Sequence, residues 1–352
     1  MSESTGYERC TKCVLSKHFP RIKFDEDGVC NYCRQPNTII KTEDVIAEAR
    51  DQIESLFKNR DHTKEYDAIV CYSGGKDSTY TLQLAVQKYN LRVLAFTLDN
   101  GFISKAAWNN IERVVDKLGV DHWVFRPNSK HYAAIAKASA EHDIYNKKTL
   151  TRISSICNSC ISIVNTTALK LALEKDIPFI LAGFTLGQIP INSIIYKNHQ
   201  KFLAESRAAS MEKLRQHAGD FVDQYLAVPD TLLRDLENYP HNINILCVEN
   251  VTEEEIIEQV KTLDWRSPGD VDGCSSNCML NTFNNYVHER VFDYNPYEME
   301  LSHLIREGLL TREEALTKMQ TQPREMIPTI MKKLDIDDAS IDKVKWIYSN
   351  QK

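Results

Sequence analysis

The sequence predicts an α/β fold: a doubly wound parallel sheet, preceded by a cysteine-framed ribbon and followed by a helical region. Three observations carry this. Between residues 67 and 183, apolar runs of strand length alternate with helical stretches, a pattern that builds a parallel sheet covered on both faces. A glycine-rich turn, Ser73-Gly74-Gly75-Lys76-Asp77-Ser78, directly follows the first of these runs. Two Cys-x-x-Cys pairs, Cys10/Cys13 and Cys30/Cys33, stand near the start with metal-ligand spacing.

The elements follow in order. Residues 42–59 have helical periodicity, with Val45, Ile46, Ala49, Ile53, Leu56 and Phe57 on one stripe. DAIVCY (67–72) is the first strand, and a helix starts at Ser78. RVLAFTL (92–98) is the second strand. Ser104 opens a helix carrying Ala107, Trp108, Ile111, Val115 and Leu118, which Gly119 ends. HWVF (122–125) is the third strand, and a helix beginning near Cys160 leads to the fourth, IPFILAG (177–183). Residues 191–240 read as polar and helical, and INILCVE (243–249) as a further strand. Beyond residue 280 the chain is helical, with Gly308 past a helix end and a capping box at Thr311-Arg312-Glu313-Glu314. The expected domains are a zinc ribbon (1–36), a linker helix (37–64), the sheet domain (65–280, with a helical insertion near 191–240) and a helical C-terminal region (281–352).

Composition narrows the function. The 352 residues have 26% charged side chains and a formal net charge of −6, which argues against the broad basic surface of a nucleic-acid-binding protein. The N-terminus lacks a charged-then-apolar signal pattern, and no sequence run reads as a membrane span, so a cytoplasmic enzyme is expected. Eight of the ten cysteines form four close pairs, which in a reducing compartment points to metal or redox chemistry. Cys71 and Cys247, in apolar runs, read as small buried hydrophobes. Arg152 reads as an exposed charge, with binding of an anionic substrate as the alternative, and the ten histidines form no ligand-spaced set.

A strand, a glycine-rich turn and a helix starting at that turn make an anion site: turn N–H groups and the helix dipole both face the ligand. Gly74 and Gly75 allow close approach, Ser73 and Ser78 supply hydroxyls, Lys76 a mobile charge, and Asp77 a carboxylate able to help hold magnesium. The run lacks the Walker pattern. Ser-Gly-Gly-Lys-Asp-Ser resembles instead the PP-loop of the N-type ATP pyrophosphatases, the adenine nucleotide α-hydrolase-like fold. That resemblance implies that ATP is bound here, that AMP is transferred to a substrate oxygen, and that pyrophosphate leaves, with Lys76 and Asp77 in catalytic roles. It also implies that the second strand's end, Thr97-Leu98-Asp99-Asn100-Gly101, and Gly183 after the fourth strand, line the nucleotide pocket.

Cys10, Cys13, Cys30 and Cys33 are expected to hold structural zinc. The N-terminal block, with its IKFDEDGVCNYC, resembles the N-acetyl sugar amidotransferase family, as does LSHLIREGLLTREEA more loosely. This likeness implies nitrogen from a glutaminase partner. Cys157 and Cys160, with a later Cys274 or Cys278, resemble the tRNA thiolation branch, whose three thiolates hold a [4Fe-4S] cluster that delivers sulfur. A redox or persulfide-carrying cysteine without a cluster, a second structural zinc and inert thiols are the other readings of this set. That branch carries an acid after the fourth strand, whereas Gly183-Phe184-Thr185-Leu186-Gly187-Gln188 has none.

The expected reaction is ATP-dependent activation of a carbonyl or amide oxygen, followed by its replacement: first sulfur through the cluster, second ammonia on an N-acetyl sugar. A non-catalytic nucleotide-binding subunit is a third reading. A small molecule or sugar nucleotide suits the acidic balance better than tRNA, a sulfur donor or glutaminase subunit would supply the incoming atom, and a homodimer stays open.

Overall fold

The computed structural model describes residues 8–35, 39–199, 208–233, 239–269, 271–275, 277–320 and 323–350. Its elements begin with α1 (Asn31–Arg34), α2 (Ile39–Lys58), β1 (Ala68–Cys71), α3 (Lys76–Gln83), β2 (Val93–Leu98) and α4 (Lys105–Leu118). There follow β3 (Asp121–Phe125), α5 (Ser129–Glu141), α6 (Ser155–Glu174), β4 (Phe179–Leu181), β5 (Ile195–Lys197), α7 (Ala208–Ala218), α8 (Val222–Leu226), α9 (Asp230–Leu233) and β6 (His241–Ile243). The chain continues with α10 (Glu253–Lys261), α11 (Leu280–Phe292), α12 (Glu298–Arg306), α13 (Arg312–Gln320), α14 (Ile327–Leu334) and α15 (Asp338–Asn350).

The strand order is β3-β2-β1-β4-β6-β5, parallel throughout except for the antiparallel edge strand β5. From β1 the chain runs outward through α3 and α4 to β3, then returns across β1 to β4 by way of α5 and α6. The direction reverses between β1 and β4, and in open sheets the crevice at such a reversal binds the ligand. The loop after β1 and the loop after β4 therefore flank one opening.

Period-2 alternation assigns the strand residues to two cores. Ile69, Leu94, Phe96 and Ile180 pack with residues of α5, α6, α11 and α14. Ala68, Val70, Val93, Ala95, Phe179 and Leu181 pack with residues of α2, α3, α4 and α10. Side chains such as Ile69 and Phe96, at 0% and 1% exposure, each contribute about 1.5–3 kcal/mol.

Local signals fix several ends. The Ser104 side chain accepts from the N–H of Ala107, and Gly119 ends α4 in the left-handed region at φ 62°. The capping box closes as expected: Thr311 N–H donates to Glu314 Oε2 at 2.8 Å, and Glu314 N–H to Thr311 Oγ1 at 3.2 Å.

Several boundaries need correction. The helix after the glycine-rich turn starts at Lys76, two residues earlier than expected, because Gly75 serves as its N-cap. The fourth strand is shorter than 177–183, ending at Leu181. The strand expected at 243–249 is instead His241–Ile243, after which Ile245–Val248 form a 3₁₀ turn. Within 191–240 the chain forms β5, which pairs with β6 through Tyr196↔Asn242; residues 200–207 and 234–238 of that stretch lie outside the described residues. On α2 the buried stripe is Ala49, Ile53 and Phe57, while Val45 is 38% exposed.

Among the described residues α6 is long and apolar enough to cross a membrane, with a mean hydropathy of 1.3 over its window, contrary to the expectation from the sequence. Half of that window is buried inside the fold, and Ile156, Ile163, Ala168, Leu169 and Leu171 belong to the core. Its apolarity is accounted for by packing under the sheet.

Candidate functional site

The turn after β1 is held by contacts that only glycine permits. Gly74 has φ +79°, and a Cβ there would lie 2.7 Å from Ile111 Cγ1 and 2.8 Å from the Ala107 carbonyl. Trp265, buried in the loop after α10, donates from Nε1 to the Gly74 carbonyl at 2.9 Å. Ser78 Oγ accepts from Ser73 N–H at 3.2 Å and donates to the Gly75 carbonyl at 3.1 Å, closing the turn on itself. Gly75 offers no side chain to cap α3, and Gly75, Lys76, Asp77 and Ser78 line a cavity at that helix start, the arrangement an anion site uses. From across the crevice, β4 approaches so closely that a Cβ on Gly183 would lie 3.0 Å from Ser78 N.

A cavity of about 630 Å³ opens over this turn, in the size range of small-molecule sites. It is lined by Ser73, Gly75, Lys76, Asp77 and Ser78 at one end and by Cys157, Cys160, Cys274 and Cys278 elsewhere. The fold thus brings the two sequence-predicted constellations into one space. Gly74 supports the cavity from behind, and Gly183 lines it.

Two expected residues face elsewhere. Thr97 is 1% exposed, and its hydroxyl donates to the Tyr72 carbonyl at 2.6 Å. Asp99, also buried, accepts from Gly101 N–H at 3.0 Å and pairs with Arg126. Alternation turns Phe96 and Leu98 toward the cavity instead, with Asn100 beyond them. Cys71, expected as a buried hydrophobe, is half-buried at the cavity wall, whereas Cys247 is buried as expected. Arg152 is half-buried and donates from Nη1 to the Gly187 carbonyl at 2.6 Å.

The charges at the turn come from distant parts of the chain. Lys76 Nζ lies 2.8 Å from Asp77 and 3.6 Å from Glu253, the first residue of α10. Glu253 also meets Lys318 of α13 at 2.5 Å. Burial penalises the charged form of Lys76, yet the neighbouring Asp77 and Glu253 outweigh it and raise its pKa, so the ammonium is secure. Glu300 of α12 completes the group: burial pushes its carboxyl up to about 7, although Lys76 pulls the other way.

Glu300 has an expected signature in stability. Its ionised form is disfavoured in the fold, so stability falls as pH rises from its ordinary value of 4.5 through about 7. Glu300→Gln cannot ionise; its melting temperature relative to wild type is expected to rise across that window and to match wild type at its acid end. A parallel pair of pH–Tm curves would refute the assignment.

The distal thiols divide into two positions. The Asn100 side-chain amide reaches Cys160 Sγ at 3.6 Å and Cys278 Sγ at 3.9 Å. Asn284 of α11 donates to Cys157 Sγ at 2.8 Å. Burial is the main influence on Cys157, pushed up to about 11, and on Cys278, pushed up to about 12; nearby thiols add to both. Cys274 lies among Asp272, Glu300, Lys318 and Glu253 instead. Cys160 and Cys278 thus share the Asn100 amide, Cys157 meets Asn284, and the Cys274 N–H donates to Asp272 at 2.8 Å. Soft thiolates in a partly enclosed pocket suit iron–sulfur ligation, and amide donors to the sulfurs are the kind of outer contact that tunes such groups.

The N-terminal thiols make a closed set. The sulfurs of Cys10, Cys13, Cys30 and Cys33 all lie within 4.8 Å of one another. Cys10–Cys33 and Cys13–Cys30 separations are 3.9 and 3.7 Å, against a tetrahedral edge of about 3.8 Å implied by zinc–sulfur bonds of roughly 2.3 Å. Cys30 N–H and Cys13 N–H both donate to Cys10 Sγ, at 3.2 and 3.4 Å. The residues fit a tetrathiolate metal ion.

No family model matches this chain. A protein of Methanocaldococcus jannaschii without an assigned function is 21% identical over 317 residues, covering 89% of this chain and 93% of that one. Among solved structures, the U34-tRNA thiolase NcsA from Methanococcus maripaludis with its [4Fe-4S] cluster aligns over 90% of this chain and 91% of its own, with 15% identity and a TM-score of 0.36. NMN synthetase from Francisella tularensis aligns over 65% of this chain and 88% of its own, with 13% identity and a TM-score of 0.30. These scores are too low to establish a shared fold; the strand order and the turn after β1 define the architecture.

Asn100 lay inside the expected run Thr97–Gly101 at a strand's carboxyl end, and it lines the cavity. Sequence reasoning missed Glu253, Trp265, Asn284, Glu300 and Lys318. These lie in helices and loops whose sequence reads as ordinary surface or core.

Proposed function

We propose that this chain is an ATP-dependent adenylating enzyme of the PP-loop type. The observation that carries the reading is the shared cavity: the glycine-rich turn at one end and the thiols Cys157, Cys160 and Cys278 elsewhere in its wall. A substrate carbonyl or amide oxygen attacks the α-phosphorus of ATP, the bond to the β-phosphate oxygen breaks, and pyrophosphate leaves with the electron pair. The turn amides and Lys76 stabilise the charge that develops on pyrophosphate, and Asp77 would help to hold a magnesium ion that supplies further charge stabilisation there. A nucleophile then adds to the activated carbon, and AMP departs with the former substrate oxygen.

The incoming atom is sulfur in this reading. Cys157, Cys160 and Cys278 would hold a [4Fe-4S] cluster, which would supply the sulfur-transfer chemistry. Asn100 and Asn284 orient the thiolates, and the cavity wall excludes water from the adenylate. The four N-terminal cysteines hold zinc in a structural role. The substrate is a small molecule or sugar nucleotide, in keeping with the net charge of −6, and a sulfur donor protein supplies the sulfur. A second reading, ammonia transfer to an N-acetyl sugar with a glutaminase partner, is favoured by the N-terminal IKFDEDGVCNYC block. A cytoplasmic location and a homodimer are compatible with either.

Iron, acid-labile sulfide and zinc measured on anaerobically purified wild type and Cys157→Ala test the choice. About four irons per chain, lost in the variant while zinc remains, is the expected result. Zinc alone, even after reconstitution, would overturn sulfur transfer in favour of ammonia.

A further inference from the structure

Helix α12 lies between the four-cysteine segment and the ATP cavity and touches both. Toward the segment, Glu298 is fully buried; its Oε1 accepts from Arg9 Nη1 at 2.6 Å and its Oε2 from Ser16 N–H at 2.8 Å. Ser302 Oγ accepts from Val14 N–H at 3.4 Å, and Val14 packs with Leu301, Ala315 and Met319. Toward the cavity, Tyr297, Glu300, Leu301 and Leu304 form the wall. The loop after β4 presses on the same helix: a Cβ on Gly187 would lie 3.0 Å from Glu300 Cα. Helix α13 repeats the arrangement. Arg312 Nε donates to the carbonyls of Cys10 and Cys13 at 3.2 and 3.0 Å, and Lys318, two turns on, pairs with Glu253 beside Lys76.

We propose that Glu298 and Arg312 are positioning residues that couple the four-cysteine segment to the ATP cavity, so that the metal in that segment sets where Glu300 and Lys318 stand. The physical reason lies in the backbone. Residues 10–16 form tight turns around the sulfurs, with Cys10 N–H bonded to the Leu15 carbonyl at 2.9 Å. A tetrathiolate ion rigidifies such a loop, since metal binding and folding of a segment this small are one event. The backbone groups that loop offers to α12 and α13, Ser16 N–H, Val14 N–H and the carbonyls of Cys10 and Cys13, are in place only when the loop is. The β4 loop carries no acid of its own, and Glu300 is delivered to the phosphate-binding end from this helix. The ion's contribution thus extends beyond stability to the geometry of the cavity wall.

The coupling is tested on the full chain by hydrogen exchange of α12 and α13, with zinc content and ATP affinity measured beside it; the turnover readout, pyrophosphate release, rests on the adenylation reading. Glu298→Gln and Arg312→Ala are expected to keep zinc and bind ATP within about twofold of wild type, while α12 exchanges faster and pyrophosphate release falls about tenfold or more, as misplacement near 1 Å does. Zinc removed from wild type by chelation should give the same exchange signature in α12. Unchanged α12 and α13 exchange after zinc removal, or wild-type exchange in both variants, would overturn the coupling whether or not adenylation is the reaction. If Glu298→Gln fails to fold, Arg312→Ala and chelation decide alone. Faster exchange with unchanged pyrophosphate release would overturn the catalytic consequence.

Discussion

Replacing Gly74 with alanine is expected to abolish ATP binding while leaving the chain folded. A residue with a side chain pays roughly 1–2 kcal/mol for the left-handed backbone that Gly74 adopts at φ +79°. The contacts make this worse: the new Cβ would stand 2.8 Å from the Ala107 carbonyl, a backbone atom of α4 that cannot swing aside, and 2.7 Å from Ile111 Cγ1. The turn must therefore shift away from α4, and the Trp265–Gly74 hydrogen bond of 2.9 Å goes with it. Both β1 and α3 keep their own packing, so the displacement is confined to the amides that face the phosphates. Lys76→Ala makes the companion case: it leaves the turn in place, keeps measurable nucleotide affinity, and lowers pyrophosphate release by about 10²–10³, the cost of removing one preorganised charge donor. Titration calorimetry with a non-hydrolysable ATP analogue, together with pyrophosphate assays, separates the two. Wild-type affinity in Gly74→Ala would remove the turn from the phosphate site.

Cys13→Ser is expected to empty the N-terminal metal site and unfold residues 8–35. Cys13 is fully buried, its sulfur lies 3.7 Å from that of Cys30, and a hydroxyl is a poor replacement for a thiolate on zinc. The segment has a small apolar cluster of its own, with Leu15 and Phe19 among the thiols and packed toward Tyr294. Metal binding contributes about 10–16 kcal/mol of apparent folding free energy to such segments, more than this cluster can replace. Zinc analysis should show the ion lost, and limited proteolysis should cut between Cys10 and Cys33 while the sheet core resists. Retained zinc with an unchanged digestion pattern would show that three thiolates suffice.

What was legible in the sequence was local. The proposed anion site at Ser73–Ser78 would act through the turn's own backbone, so those six residues suggested their chemistry without reference to the rest of the chain. The pairs Cys10/Cys13 and Cys30/Cys33 declared theirs by spacing, and Ser104, Gly119 and the Thr311–Glu314 box by cap chemistry that operates within one helical turn. Thr97 shows the limit of such reading. Strands of a buried parallel sheet are apolar on both faces, so alternation reveals that neighbours point oppositely without revealing which one faces the ligand. Phe96 and Leu98 face the cavity, and Thr97 turns to the Tyr72 carbonyl. The short edge strand β5 escaped for a related reason: its three residues are too few to establish a period.

The sequence by itself determined the glycine-rich turn after β1, the four-cysteine set near the start and the mostly parallel α/β architecture. Tertiary structure decided where each later cysteine stands, since Cys274 and Cys278 are four positions apart and packing brings Cys278 to Asn100 and Cys274 to Asp272, Lys318 and Glu300. It also decided the charge set around Lys76, because Glu253, Glu300 and Lys318 reach the turn from helices 177 or more residues later in the chain. Local chemistry is written in neighbouring residues, whereas a cavity wall is assembled from long-range contacts that leave no period or spacing in the sequence to read.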